Sequence, residues 1–333
     1  VATNDICMIY HADMYLCPGA LDAIESNMFN TTHTGDALYR QPIEKVIVSL
    51  TRIEPPLHPD GPEKILKDFG IETEEFKEQE LLDFLSSRVP NNDTTEGIFA
   101  PWAFWKKDFQ EIGGHDVIFA PQSKEDTDIF NRFHLNGIKF IQTWGGCVYH
   151  MTCRGSRFAD GAQRNPNGEV FMKNRETDEW LTQNKKSTRE FIRKWGHFCK
   201  HDELMKPIVP SKYDIGICIK NCSNEVLEVL EPWCNIIYTD ANIDTYISKE
   251  SSKTSFDLSA RVKNIDTQYT QGAHDIILEI DAARFYNTDM QVIEQISEII
   301  SDSADIGEFE LGNIKLLIND LSKYEKDLIV CKN

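Results

Sequence analysis

No uninterrupted apolar run in this chain approaches the ~20 residues that a membrane-spanning helix needs, so nothing in it reads as a transmembrane segment. There is no Cys-x-x-Cys pair, although nine cysteines occur in 333 residues. An odd number of irregularly spaced thiols fits reduced, mostly buried cysteine, and a cytoplasmic location is expected. The first residues, Val1-Ala2-Thr3-Asn4-Asp5, lack the basic and apolar regions of a signal peptide. They also lack an initiator Met, which leads to the expectation of a processed, trimmed or fragmentary chain. Basic residues are scarce: 35 Lys and Arg face 54 Asp and Glu, for a formal charge of −19. That field repels polyphosphate and anionic membranes, which argues against nucleic-acid binding. A small phosphate-bearing substrate would need a local cation. Internal repeats and low-complexity tracts are absent.

What is present is ordinary globular material. Apolar residues make up 41% and charged residues 27%, enough for two cores, and the length suggests two domains. Ile6-Cys7-Met8-Ile9-Tyr10 reads as a buried strand ending at His11-Ala12-Asp13. A helix is expected over 18–25, with Pro18 in its first turn. A strand is expected over 45–53. The prolines within 54–62 exclude regular structure there. Helices follow near 63–69, 73–87 and 106–112, the last broken by Gly113-Gly114. Ser123 is read as the N-cap of a helix ending at Gly137. Short strands are expected at 138–143 and 147–150, and a helix at about 176–201. Pro207 and Pro210 mark a linker. Beyond it, strand 213–220, helix 223–231, strand 235–239, strand 275–281, helix 288–303 and strand 307–318 suggest a small ferredoxin-like α+β layer. The expected division is 1–205 and 210–333.

Three clusters carry chemistry. His11-Ala12-Asp13 follows a buried strand, where open α/β sheets bind ligands, and both side chains suit a divalent cation. Each also fits an ordinary strand-end turn. Glu125 and Asp126 open a helix, where the macrodipole keeps a carboxylate ionised and able to accept a proton from a bound hydroxyl. Both also fit plain helix N-terminal charges. Val148-Tyr149-His150 is a strand ending in His, a ligand candidate or a satisfied core residue.

In order and spacing, His11-Ala12-Asp13, Gly113-Gly114-His115-Asp116, Glu125-Asp126 and His150 resemble the motifs of family 2 inverting glycosyltransferases of the GT-A fold. The resemblance covers about 1–153. It implies an α/β, Rossmann-like GT-A domain, and a Mn²⁺ or Mg²⁺ ion held by Asp13 with His150 and His11. Asp126 would be the catalytic base and Glu125 an acceptor-sugar contact. Gly114 and Asp116 would belong to the substrate-binding turn. Trp102 and Trp105 would stack on an acceptor ring or pack in the core, and Arg154 and Arg157 would grip the diphosphate or remain solvated. The donor would be a nucleotide-diphosphate sugar, and the acceptor a glycan or another hydroxyl compound.

In that family about a hundred residues precede the metal motif and hold the nucleotide. Here the motif begins at residue 11, so an incomplete GT-A domain with an exposed sheet edge is expected, one that alone binds donor weakly and turns over poorly or not at all. Two other readings remain open on the residues alone. One is a metal-dependent phosphoester hydrolase or nucleotidyltransferase, and the other a non-catalytic binding or assembly protein. The C-terminal region would serve the acceptor site, oligomerisation or a partner.

Overall fold

The computed structural model describes residues 2–34, 37–56, 60–151, 162–164, 166–172, 177–265, 272–303 and 305–331. The chain is mixed α/β and divides into two compact units. It passes finally into the second unit at Val209, within the linker expected at 207–210. Two earlier stretches, His115–Leu135 and Thr182–Lys200, also belong to that second unit.

The first unit runs through β1 (Ile6–Ile9), β2 (Met14–Leu16), α1 (Ala20–Met28), β3 (Phe29–Thr34), β4 (Ala37–Pro42), β5 (Val46–Glu54) and β6 (Lys64–Leu66). It continues with α2 (Glu78–Ser87), β7 (Thr94–Thr95), β8 (Trp102–Trp105), α3 (Lys106–Glu111), β9 (Lys139–His150), β10 (Ala162–Arg164) and β11 (Val170–Met172). Seven strands form one sheet in the order β1-β8-β5-β9-β2, with β6 beside β5 and β7 beside β9. All nine residues of β5 are buried, as an apolar run in the middle of a covered sheet should be. β5 and β9 run parallel, and β2 returns antiparallel on the far side of β9. At the other edge β1 pairs only with β8 among the described residues, and its four residues are half-buried.

Several local expectations change. Residues 64–66 form a strand rather than a helix, because they pair in register with Arg52–Glu54. The two short strands expected at 138–150 are one strand with a register shift opposite Leu50 and Thr51. Within it α1 approaches so closely that a Cβ on Gly146 would lie 2.6 Å from Ala23 Cβ. The β3–β4 hairpin was not legible.

The second unit contains α4 (Glu125–Leu135), most of α5 (Asp178–Trp195), β12 (Ile215–Lys220), α6 (Asn224–Leu230), β13 (Ile236–Thr239), α7 (Ile243–Glu250) and α8 (Leu258–Arg261). β14 (Val262–Asn264), β15 (Ile276–Asp281), α9 (Asn287–Glu294), α10 (Ile296–Ser303), β16 (Gly307–Leu311) and β17 (Ile314–Ile318) complete it. The sheet order is β14-β13-β12-β15-β17-β16. The first four strands are parallel, and β17 is antiparallel to both its neighbours. This corrects the ferredoxin-like expectation, which requires an antiparallel sheet. The long polar stretch after β13, for which no element was expected, supplies α7, α8 and a third parallel strand, and 307–318 folds back as a hairpin. Ile215, Ile217 and Ile219 of β12 share one core with Leu227, Leu230, Tyr246, Ile293 and Ile300. Each such buried aliphatic contributes about 1.5–3 kcal/mol.

Strand order reverses between β12 and β15, where open parallel sheets receive ligands. The turn after β12 is already filled from within. The Asn221 and Cys222 amides donate to the two oxygens of Asp240 at 2.7 and 2.9 Å, and Asn221 Nδ2 donates to Asp281 at 2.8 Å. The amides such a turn would offer a phosphate are occupied by a carboxylate.

Candidate metal centre

In the first unit the sheet brings three expected ligands together. β2 pairs with β9 so that Met14 faces His150, and the Met151 amide donates to the Asp13 carbonyl at 2.9 Å. Asp13, one residue before β2, thus lies beside His150, the last residue of β9. His150 Nε2 is 3.4 Å from Asp13 Oδ2. His11, on the turn between β1 and β2, completes the group: one ligand atom from each of His11, Asp13 and His150 lies within 4.8 Å of the others. All three side chains are half-buried. Two imidazole nitrogens and one carboxylate form a donor set suited to first-row divalent cations, whereas Mg²⁺ prefers oxygen ligands alone.

The sequence reading missed what stands behind these ligands. β5 and β9 are parallel with Ile53 opposite Tyr149, so their next residues, Glu54 and His150, end side by side. His150 Nδ1 lies 2.8 Å from Glu54 Oε1. Glu54 is held by Arg52 at 3.0 Å and Lys64 at 3.6 Å, and both cations also pair with Glu63. All four of these side chains are buried. The Arg52 guanidinium sits 3.8 Å above the Phe99 ring, which lies near both His11 and His150. Burial alone would raise the Glu54 carboxyl, but the His150 hydrogen bond and the Arg52 and Lys64 charges bring it down to about 2. Burial alone would push the His150 imidazole down, but the hydrogen bonds to Asp13 and Glu54 outweigh it and hold it above its ordinary value. The available signal was a charged pair, Arg52 and Glu54, closing an otherwise apolar strand.

The glycine pair has a structural role. Gly114 N donates to Phe109 O at 2.9 Å and Gly113 N to Gln110 O at 3.1 Å, the paired bonds of a Schellman motif that ends α3. Both glycines are left-handed, with φ of 79° and 72°. Trp102 and Trp105, expected as stacking surfaces or core, are core. Trp102 is fully buried, and Trp105 donates its indole N–H to the Ile43 carbonyl and packs edge-on to Phe29.

Glu125, Asp126 and Asp116 belong to the second unit. Glu125 and Asp126 are half-buried in the first turn of α4. Ser123 is not the cap expected. Ser123 and Lys124 both have left-handed backbone, with φ of 82° and 75°, and the Ser123 hydroxyl donates to Asn184 Oδ1 at 3.0 Å. Burial pushes the neighbouring His115 imidazole down, although the Asp126 charge opposes this. Asp116 accepts from the Ile118 amide and from Lys194 Nζ at 2.7 Å. Lys194 Nζ also lies 2.6 Å from the buried Asp128, which in turn binds Arg132 and the Trp195 indole. Asp116, Asp128 and Cys331 have metal-like spacing, but the Lys194 ammonium already occupies the position between the two carboxylates. Arg154 and Arg157 lie outside the described residues.

No protein family profile matches the chain, and no curated protein matches it significantly.

Proposed function

We propose that the chain acts as a GT-A-type glycosyltransferase in inverting transfer from a nucleotide-diphosphate sugar to a hydroxyl acceptor, with its cation site in the first unit. The observation that carries this reading is the meeting of His11, Asp13 and His150 at the end of the sheet. Mn²⁺ fits the two imidazoles better than Mg²⁺ does. A bound divalent cation supplies charge neutralisation for the departing diphosphate. Asp13 and the two histidines would hold it, with His150 fixed from behind by Glu54.

The resemblance assigns the base to Asp126, which would accept the acceptor's hydroxyl proton as that oxygen bonds to the anomeric carbon. The bond from that carbon to the diphosphate oxygen breaks in the same displacement. Two successive non-glycine residues in left-handed backbone directly precede the Glu125-Asp126 pair. Such strain, about 1–3 kcal/mol per residue, tends to persist where function requires it. The free state of all eight cysteines among the described residues agrees with a reducing, cytoplasmic setting. No helix among the described residues is long and apolar enough to cross a membrane.

Asp126→Asn tests the assignment. General-base assistance is worth about 10²–10⁴-fold, so the variant should lose sugar transfer while keeping its fold and its cation affinity. Undiminished transfer would remove Asp126 from the role. The same donor set also serves metal-dependent hydrolases. Release of phosphate from a phosphoester without an acceptor sugar would favour that second reading.

A further inference from the structure

We infer that Glu54 is a positioning residue for the cation site, fixing the tautomer and ring orientation of His150. The inference rests on the reading of His11, Asp13 and His150 as a cation site. An imidazole that ligates through Nε2 must carry its proton on Nδ1, and a partner on Nδ1 selects that form. Glu54 Oε1 stands 2.8 Å from Nδ1 and so accepts that proton's hydrogen bond. The opposite nitrogen, Nε2, faces Asp13 at 3.4 Å. The ring is therefore oriented with its ligating atom toward the cluster.

The support for Glu54 is itself rigid. Its side chain is 1% exposed, on a strand whose nine residues are all buried. Arg52 and Lys64 pin its two oxygens from different directions, at 3.0 Å to Oε1 and 3.6 Å to Oε2. Glu63 offers an internal comparison. It pairs with the same two cations, at 3.1 and 3.6 Å, but its carboxylate is not the one that meets His150. A purely structural ion cluster would make the two glutamates equivalent, whereas a positioning role separates them.

The experiment measures Mn²⁺ binding by calorimetry to the full chain and to Glu54→Gln and Glu63→Gln. Nitrogen NMR of the neutral His150 ring is recorded on the metal-free wild type. Loss of such a carboxylate partner typically weakens metal binding about 10–100-fold, and that loss is expected for Glu54→Gln but not for Glu63→Gln. The wild-type ring should carry its proton on Nδ1. Equal affinities in wild type and Glu54→Gln, or equal losses in both variants, would overturn the role of Glu54 and leave the cation site standing. A wild-type ring protonated on Nε2 would overturn it even if Glu54→Gln fails to fold. A wild-type protein that takes up no Mn²⁺ would overturn both the site and the inference.

Discussion

Lys194 Nζ lies 2.6 Å from Asp128 Oδ1 and 2.7 Å from Asp116 Oδ2, a buried ammonium bridging two carboxylates whose grouping in space would otherwise suit a metal ion. Asp116 comes from the turn after the glycine pair and Asp128 from α4, so Lys194 ties those two elements to α5. Lys194→Met should leave two carboxylates short of charge in a buried setting. Breaking a buried pair in this way costs about 3–5 kcal/mol. Urea denaturation followed by tryptophan fluorescence would measure it. A loss under about 1 kcal/mol would mean that Arg132 and water replace the ammonium.

Acid sensitivity has a specific source in His197. It is fully buried against Phe191 and Trp195, and burial, helped by the Lys200 and Lys212 charges, pushes its imidazole down to about 4 from 6.5. The folded state then resists a proton that the unfolded chain accepts below pH 6.5. Its contribution is complete above pH 6.5 and is lost as pH falls toward 4, about 3 kcal/mol in all. Buried Glu231 behaves similarly at lower pH. Burial would raise its carboxyl, but Arg193 and Arg261 hold it at about 2, so its contribution is present above pH 4.5 and is lost on descent toward 2. His197→Phe should flatten the decline in stability between pH 6.5 and 4 and leave the lower step intact. An unchanged slope across the upper window would assign the acid response elsewhere.

Gly114→Ala tests whether the glycine pair ends a helix or serves a substrate. The position is left-handed, at φ 72°, and an added Cβ would meet the Phe109 ring at 3.0 Å. The left-handed backbone alone costs a non-glycine residue about 1–2 kcal/mol. A drop of that size in denaturation midpoint energy, with Mn²⁺ affinity unchanged, is the expected result. Lost Mn²⁺ affinity at full stability would instead favour a direct binding role.

Legibility followed the strand ends. His11, Asp13 and His150 were readable because each is a polar group closing an apolar run, and sheet pairing alone brings such ends together. Glu54 obeys the same rule, yet Pro55 and Pro56 directly after it made it look like the start of a loop. Its partner, His150, is remote in sequence and adjacent only because β5 and β9 run parallel. Trp102 and Trp105 were ambiguous because an aromatic beside a glycine turn looks the same whether it faces solvent or core. In the second unit the strands were mostly placed, but their order was not. β14 is short and polar, with Lys263 and Asn264 exposed, so nothing in its pattern announced a third parallel strand. The 288–303 helix is two helices broken at Gln295, a packing feature without a glycine or proline to signal it.

The most direct test of the account is pulsed electron paramagnetic resonance of Mn²⁺ added to the purified chain, read for nitrogen coupling from bound imidazole. Coupling to two histidine nitrogens is expected, reduced to one in His11→Ala or His150→Ala, with loss of tight binding in Asp13→Asn. A spectrum of fully hydrated Mn²⁺, or a nitrogen pattern unchanged when His150 is removed, would contradict it.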